Sequence, residues 1–117
     1  MTSSNYSLCL LNGQVMIDTQ LVSTNIYVDK EKISLISDKK FEASEIIDCT
    51  NLIILPGVID SQVHFREPGL EGKETLSSGM LAAVAGGVTS IFEMPNPNPL
   101  TITPETIEDK LSRASKS

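Results

Sequence analysis

The sequence predicts an α/β protein in two parts. A small β-sheet, the portion of a β-sandwich, is expected over residues 1–55, and the opening β/α units of a parallel sheet over residues 56–117. Three observations carry this reading. Short apolar runs broken by turn residues fill the chain from Ser7 to Leu55. The pattern changes at Pro56-Gly57. Beyond it, strand-like and helix-like segments alternate twice, the rhythm of strands joined by crossover helices.

Taken in order, Leu8–Leu11 and Gln14–Ile17 flank Asn12-Gly13 and read as a hairpin. Leu21–Val28 is a further strand, and Asp29-Lys30-Glu31 makes a charged turn into Lys32–Ile36. Glu45–Asp48 and Leu52–Leu55 complete the β-rich part, which carries no chemical motif. In the second part, Val58–Phe65 reads as a strand followed by turn residues Glu67-Pro68-Gly69. Lys73–Ala85 reads as a helix with Leu76, Met80, Ala83 and Val84 on one face, stopped by Gly86-Gly87. Val88–Met94 is the next strand, closed by the stiff Pro95-Asn96-Pro97-Asn98-Pro99 segment. Thr103 fits an N-cap with Pro104 at the first helical position, and Ile107 and Leu111 mark the apolar side of that helix.

Composition narrows the function classes. Nine basic against fifteen acidic residues give a net charge of −6, which argues against a nucleic-acid surface. With no Trp, two Tyr and three Phe, the core must rest on aliphatic side chains and Met. Cys9 and Cys49 match no metal or redox spacing and are expected as buried free thiols in a reducing compartment. The first seven residues lack the basic segment of a signal peptide. No apolar run approaches the ~20 residues of a membrane helix, so a cytoplasmic, membrane-free protein is expected.

Side chains alternate faces along a strand. In Val58–Arg66 this puts Asp60, Gln62, His64 and Arg66 on one face and Ile59, Ser61, Val63 and Phe65 on the other. A right-handed crossover returns the next strand parallel, beside its predecessor. Both strands then end at one edge, where His64 and Arg66 come near Asn96. That edge is where ligands bind in such folds. A guanidinium there suits a carboxylate, which it can hold through two parallel hydrogen bonds. Two parallel strands leave open edges, and a (β/α)₈ barrel needs ~250 residues. The chain is therefore expected to be a fragment covering about the first quarter of a barrel.

Leu55-Pro56-Gly57-Val58-Ile59-Asp60 and Gln62-Val63-His64-Phe65-Arg66-Glu67-Pro68-Gly69 resemble the dihydroorotase signature of the amidohydrolase superfamily. Gly86-Gly87-Val88-Thr89 and Glu93-Met94-Pro95-Asn96-Pro97-Asn98-Pro99 are similar to its next two landmarks, in order and spacing. The resemblance covers roughly Leu52–Leu111, and the β-rich part before it is similar to the family's N-terminal sandwich portion. It implies an incomplete (β/α)₈ metallo-hydrolase barrel and zinc-dependent, reversible opening of a cyclic amide, dihydroorotate to N-carbamoyl-aspartate, in pyrimidine biosynthesis. By position, His64 corresponds to a metal ligand, and Arg66 and Asn96 to the residues that grip the substrate carboxylate. The proton-handling Asp, the bridging ligand and the remaining histidines have no counterpart here, so no catalytic residue is expected within this chain.

One departure stands out: Gln62 occupies the place of the family's first His ligand. A neutral carboxamide oxygen is a much poorer zinc ligand than imidazole. A one-metal centre, a weakened site and a relative without catalysis all stay open. Allantoinase and hydantoinase, with similar barrel openings, are neighbouring readings. A non-catalytic scaffold subunit for aspartate transcarbamoylase is the reading from another class, and a homo-oligomer is a further possible assembly. Asp60 is expected to orient the strand end or to support a ligating side chain from behind, with direct metal binding the lesser alternative. Gly57, Gly69, Gly86 and Gly87 fit turns, a helix stop and close packing rather than a phosphate loop.

Overall fold

The computed structural model describes residues 6–117. Contacts divide the chain into two compact units, the first ending at Pro56 and the second beginning at Gly57.

In the first unit, β1 (Tyr6–Ile17), β2 (Gln20–Asp29), β3 (Lys32–Ser37), β4 (Ala43–Asp48) and the short β5 (Ile53–Ile54) form one sheet. The strand order is β3-β2-β1-β4, with β5 also on β1. The β1–β2 and β2–β3 pairs are antiparallel, whereas β4 and β5 run parallel to β1. The described residues of this unit make a single sheet, so the sandwich expectation reduces to one layer here.

Asn12-Gly13 does not turn the chain, contrary to the hairpin expectation. β1 runs straight through it, because neighbours hold both of its sides: β2 along one, β4 and then β5 along the other. The register jumps from Leu10↔Ile26 to Gly13↔Thr24, so Leu11 and Asn12 oppose Asn25 alone in a β-bulge. Asn12 takes the bulge at φ 61°, which Asn tolerates, and its N–H donates to Asn25 Oδ1 at 2.9 Å. A Cβ on Gly13 would come within 2.4 Å of Ile54 Cδ1, so β5 can lie close only because none is there. The chain reverses at Asp18, φ 54°, and again at Lys30 and Glu31, φ 48° and 65°. The second of these is the charged turn the sequence predicts.

The core of this sheet gathers Cys9, Val15, Ile26, Tyr27 and Cys49, all buried, with both thiols free as expected. Burial pushes the Cys49 thiol up, aided by the charge of Asp48. Tyr27 stacks between Tyr6 and Phe41, at centroid distances of 5.0 and 5.5 Å. Its hydroxyl donates to the Lys39 carbonyl at 2.9 Å and accepts the Phe41 N–H at 3.1 Å. The connection between β3 and β4 is thereby tied to the core.

The second unit is α/β, as the alternating pattern predicts: β6 (Val58–Val63), α1 (Leu76–Ala85), β7 (Val88–Glu93) and α2 (Pro104–Ala114). β6 and β7 pair in parallel as neighbours. β6 stops at Val63, two residues short of the expected Phe65, so strand alternation does not govern His64 and Arg66. α1 starts at Leu76 rather than Lys73, because Thr75 caps it in a reciprocal capping box with Ser78. It ends at Gly86, with Gly87 at φ 82° beyond. Its packed side is Leu76 and Gly79; Val84, expected on the apolar face, is 65% exposed. Gly79 matters because the buried Phe65 ring lies on it: a Cβ there would meet Phe65 Cε1 at 2.6 Å. α2 has Thr103 as N-cap and Pro104 in the first turn, as predicted. Its buried Lys110 pairs with Glu93 at the end of β7. Phe65, Leu76, Met80, Ile91, Ile107 and Leu111 line an apolar groove of ≈ 180 Å³ between these elements. No helix among the described residues is long and apolar enough to cross a membrane.

Candidate functional site

Strand pairing continues one step past β6 and β7. The Met94 N–H donates to the Val63 carbonyl at 2.8 Å, which sets the residues that follow each strand side by side. His64 Nδ1 lies 2.9 Å from Asn96 Oδ1. An amide oxygen can only accept, so Nδ1 carries the proton in this arrangement, and the neutral imidazole so held has its lone pair on Nε2. The amide nitrogen of Asn96 keeps both its donors. Both side chains are exposed. This contact is the first feature of the rim.

Arg66 is half-buried. Among the described residues its guanidinium takes part in no salt bridge, the four that form being Lys110–Glu93 and three made by Arg113. Its carbonyl accepts the Leu70 N–H at 3.0 Å and closes the turn. Among the described residues its side chain forms no hydrogen bond with His64 or Asn96; along the chain it lies two residues past His64.

The acidic neighbour of Arg66 faces elsewhere. Glu67 Oε2 accepts the Leu76 N–H at 2.8 Å, at the start of α1, where N–H groups lack helical partners. Its Oε1 accepts from Arg113 Nη1 of α2 at 3.3 Å. Arg113 also donates through Nε to Asp109 Oδ2 at 2.7 Å and lies 3.7 Å from Glu71 Oε1. These carboxylates, Asp109 first and Glu67 next, push the guanidinium pKa of Arg113 up. Glu71 in turn accepts the Gly69 N–H at 3.0 Å, which lowers its own pKa.

The two rim loops are joined through backbone. The Asn98 N–H donates to the Pro68 carbonyl at 3.1 Å, beside the fully buried Pro97. Gly69 sits at φ 90°, where a side chain is disfavoured.

Gln62 is exposed, and its backbone N–H donates to Asp60 Oδ1 at 3.0 Å. Asp60 thus holds its own strand end. Among the described residues no group of three or more His, Cys, Asp or Glu side chains converges as a metal cage would require. His64 is the one imidazole in the chain. These residues do not by themselves fit a zinc centre.

The roles of Glu67 and Arg113 were not visible to sequence reasoning. Asp109 and Arg113, four apart on a helix, are a readable pair. That Arg113 also reaches Glu67, 46 positions away, depends on how α2 packs.

The family model for dihydro-orotase-like proteins matches residues 51–116, more than half of the chain. The dihydroorotase of Pediococcus pentosaceus is 41% identical over 97 residues, 82% of this chain and 23% of that protein. The dihydroorotase of Streptococcus thermophilus is 38% identical over 115 residues, 93% of this chain and 26% of its own length. Among solved structures, the L-hydantoinase (dihydropyrimidinase) from Arthrobacter aurescens superposes with a TM-score of 0.82 at 29% identity, covering 93% of this chain and 25% of that one. The D-hydantoinase (dihydropyrimidinase) from Thermus sp. gives 0.71 at 28% identity, covering 92% and 24%. The chain thus spans about a quarter of the length of the relatives it matches. The strand-end motifs around His64 and Asn96 fall inside the matched region, and this chain belongs to the dihydro-orotase-like family.

Proposed function

We propose that this chain supplies the carboxylate-binding end of the active site of a dihydroorotase-type cyclic-amide hydrolase. In this reading residues 1–55 are the sheet portion that precedes a (β/α)₈ barrel, and residues 56–117 are its first two β/α units. The observation that carries the proposal is the half-buried Arg66, uncommitted among the described ion pairs and two residues past His64, which meets Asn96. A carboxylate on a cyclic amide would neutralise that cation through paired hydrogen bonds. Asn96, whose oxygen is occupied by His64, offers its amide N–H donors to the same anion.

His64 is assigned as one metal ligand through Nε2, its tautomer fixed by Asn96, the way hydrogen bonds commonly orient ligating imidazoles. A complete centre needs ligands beyond these residues, so no chemical step is assigned to a metal here. Dihydroorotate fits this reading better than hydantoin or allantoin because it carries a carboxylate for Arg66 to hold. The expected setting is cytoplasmic pyrimidine biosynthesis, with a homo-oligomer or aspartate transcarbamoylase as the candidate assembly.

Two further readings have specific support. The superposition on hydantoinases favours a neutral ring substrate. Gln62, where an imidazole ligand is expected, favours a non-catalytic scaffold. Grafting this chain in place of the matching quarter of the Pediococcus pentosaceus dihydroorotase separates them. Turnover of dihydroorotate in preference to hydantoin and allantoin supports the proposal. Preference for hydantoin supports the second reading, and a folded graft that stays inactive even with Gln62→His supports the scaffold.

A further inference from the structure

We propose that Glu67 and Arg113 form a brace that keeps the rim loop in the shape that leaves Arg66 free for an anion. The inference rests on the carboxylate-binding role proposed above for Arg66, and adds positioning residues to it.

Glu67 directly follows Arg66, so a mobile Glu67 carboxylate would be the nearest competitor for the Arg66 guanidinium. The structure removes that competitor. Both Glu67 oxygens are occupied, one by the Leu76 N–H at 2.8 Å and the other by Arg113 Nη1 at 3.3 Å. The two donors come from different helices, so the carboxylate ties the loop to the start of α1 and the last turn of α2 at once. Its side chain is 17% exposed, against 40% for Arg113, which shelters the pair from full solvent screening. Two charge-assisted contacts outcompete a pairing with Arg66 that would leave the Leu76 N–H unsatisfied.

The brace extends along the loop. Arg113 approaches Glu71 at 3.7 Å, and Glu71 accepts the Gly69 N–H at 3.0 Å. Between these anchors the Leu70 N–H bonds back to the Arg66 carbonyl. Arg113 therefore pairs with two acidic residues of the loop that follows Arg66, Glu67 inside its first turn and Glu71 just past that turn. With Arg113 neutralised, the Glu67 carboxylate loses its tie to α2 and becomes available to Arg66; with Glu67 neutralised, the loop loses that charged tie and the shape it imposes.

The chain contains two arginines, so its side-chain Nε–H resonances can be assigned by substitution. The test is a titration of the ¹⁵N-labelled chain with L-dihydroorotate, and separately with neutral dihydrouracil, following the Arg66 Nε–H signal. The wild-type signal is expected to shift with the carboxylate-bearing ring and not with the neutral one. Glu67→Gln and Arg113→Met are each expected to weaken the dihydroorotate response by roughly tenfold, the worth of one charge-assisted bond. Backbone signals away from the loop should stay dispersed in both variants. A variant response equal to wild type overturns the brace while leaving the Arg66 assignment intact. Failure of the wild-type Arg66 signal to respond overturns both. Loss of dispersed backbone signals in both variants also overturns the brace, because the pair would then hold the unit together rather than shape the loop.

Discussion

Gly69 and Asn98 meet at the point where the two rim loops join. A Cβ on Gly69 would lie 1.8 Å from the Asn98 carbonyl oxygen, inside any possible contact, and the backbone at φ 90° disfavours a side chain independently. Next to this contact, the Asn98 N–H reaches the Pro68 carbonyl at 3.1 Å. The loop bearing Arg66 and the loop bearing Asn96 are thus seated on one another through main chain.

Gly69→Ala is therefore expected to destabilise the second unit by about 3 kcal/mol, combining backbone strain with a clash that no rotamer relieves. Urea denaturation followed by circular dichroism measures it. Gly72→Ala, at a site open on all sides, is the control and should change stability by less than ~1 kcal/mol. Equal effects at the two positions would contradict the seating of the loops.

In the first unit, Tyr27→Phe keeps the aromatic packing with Tyr6 and Phe41 but removes the hydroxyl between the Lys39 carbonyl and the Phe41 N–H. The cost is expected at about 1–3 kcal/mol, that of leaving such groups unpaired. Stability should fall while the far-ultraviolet spectrum stays unchanged. A neutral result would mean that water replaces the hydroxyl without loss.

Acid sensitivity should come from Asp48 and Glu71. Thr50, through its hydroxyl and its N–H, holds the Asp48 carboxyl below its ordinary range, and the Gly69 N–H does the same for Glu71. A carboxylate whose pKa is lower folded than unfolded stabilises the fold above its unfolded pKa. That contribution fades as pH falls from the ordinary carboxylate range through the lowered value. Urea midpoints should therefore drop below about pH 4. Asp48→Asn should flatten that decline relative to its own neutral-pH value, and an unchanged slope would remove Asp48 from the account.

The sequence disclosed the second unit more fully than the first. Its helix signals are local: Thr103-Pro104 and Gly86-Gly87 act within one turn of chain. The parallel pairing of β6 and β7 follows from the helix between them. Asn12-Gly13 misled because a turn and a bulge use the same residues, and strands distant in sequence, β4 and β5, decide between them. At the rim, the meeting of His64 and Asn96 was legible because each lies just past the end of a strand that pairs with the other, His64 directly after β6 and Asn96 beyond Met94 and Pro95. The Glu67–Arg113 pair was not, since it depends on the docking angle of α2 on the loop.

The most direct measurement of the central claim is kcat/KM for dihydroorotate and for hydantoin in the grafted enzyme, with Arg66 and with Arg66→Ala. Loss of a bidentate contact to a carboxylate should lower the dihydroorotate value by roughly a hundredfold, with hydantoin changing little. A substitution that reduces both substrates equally, or neither, would contradict the assignment of this rim to a substrate carboxylate.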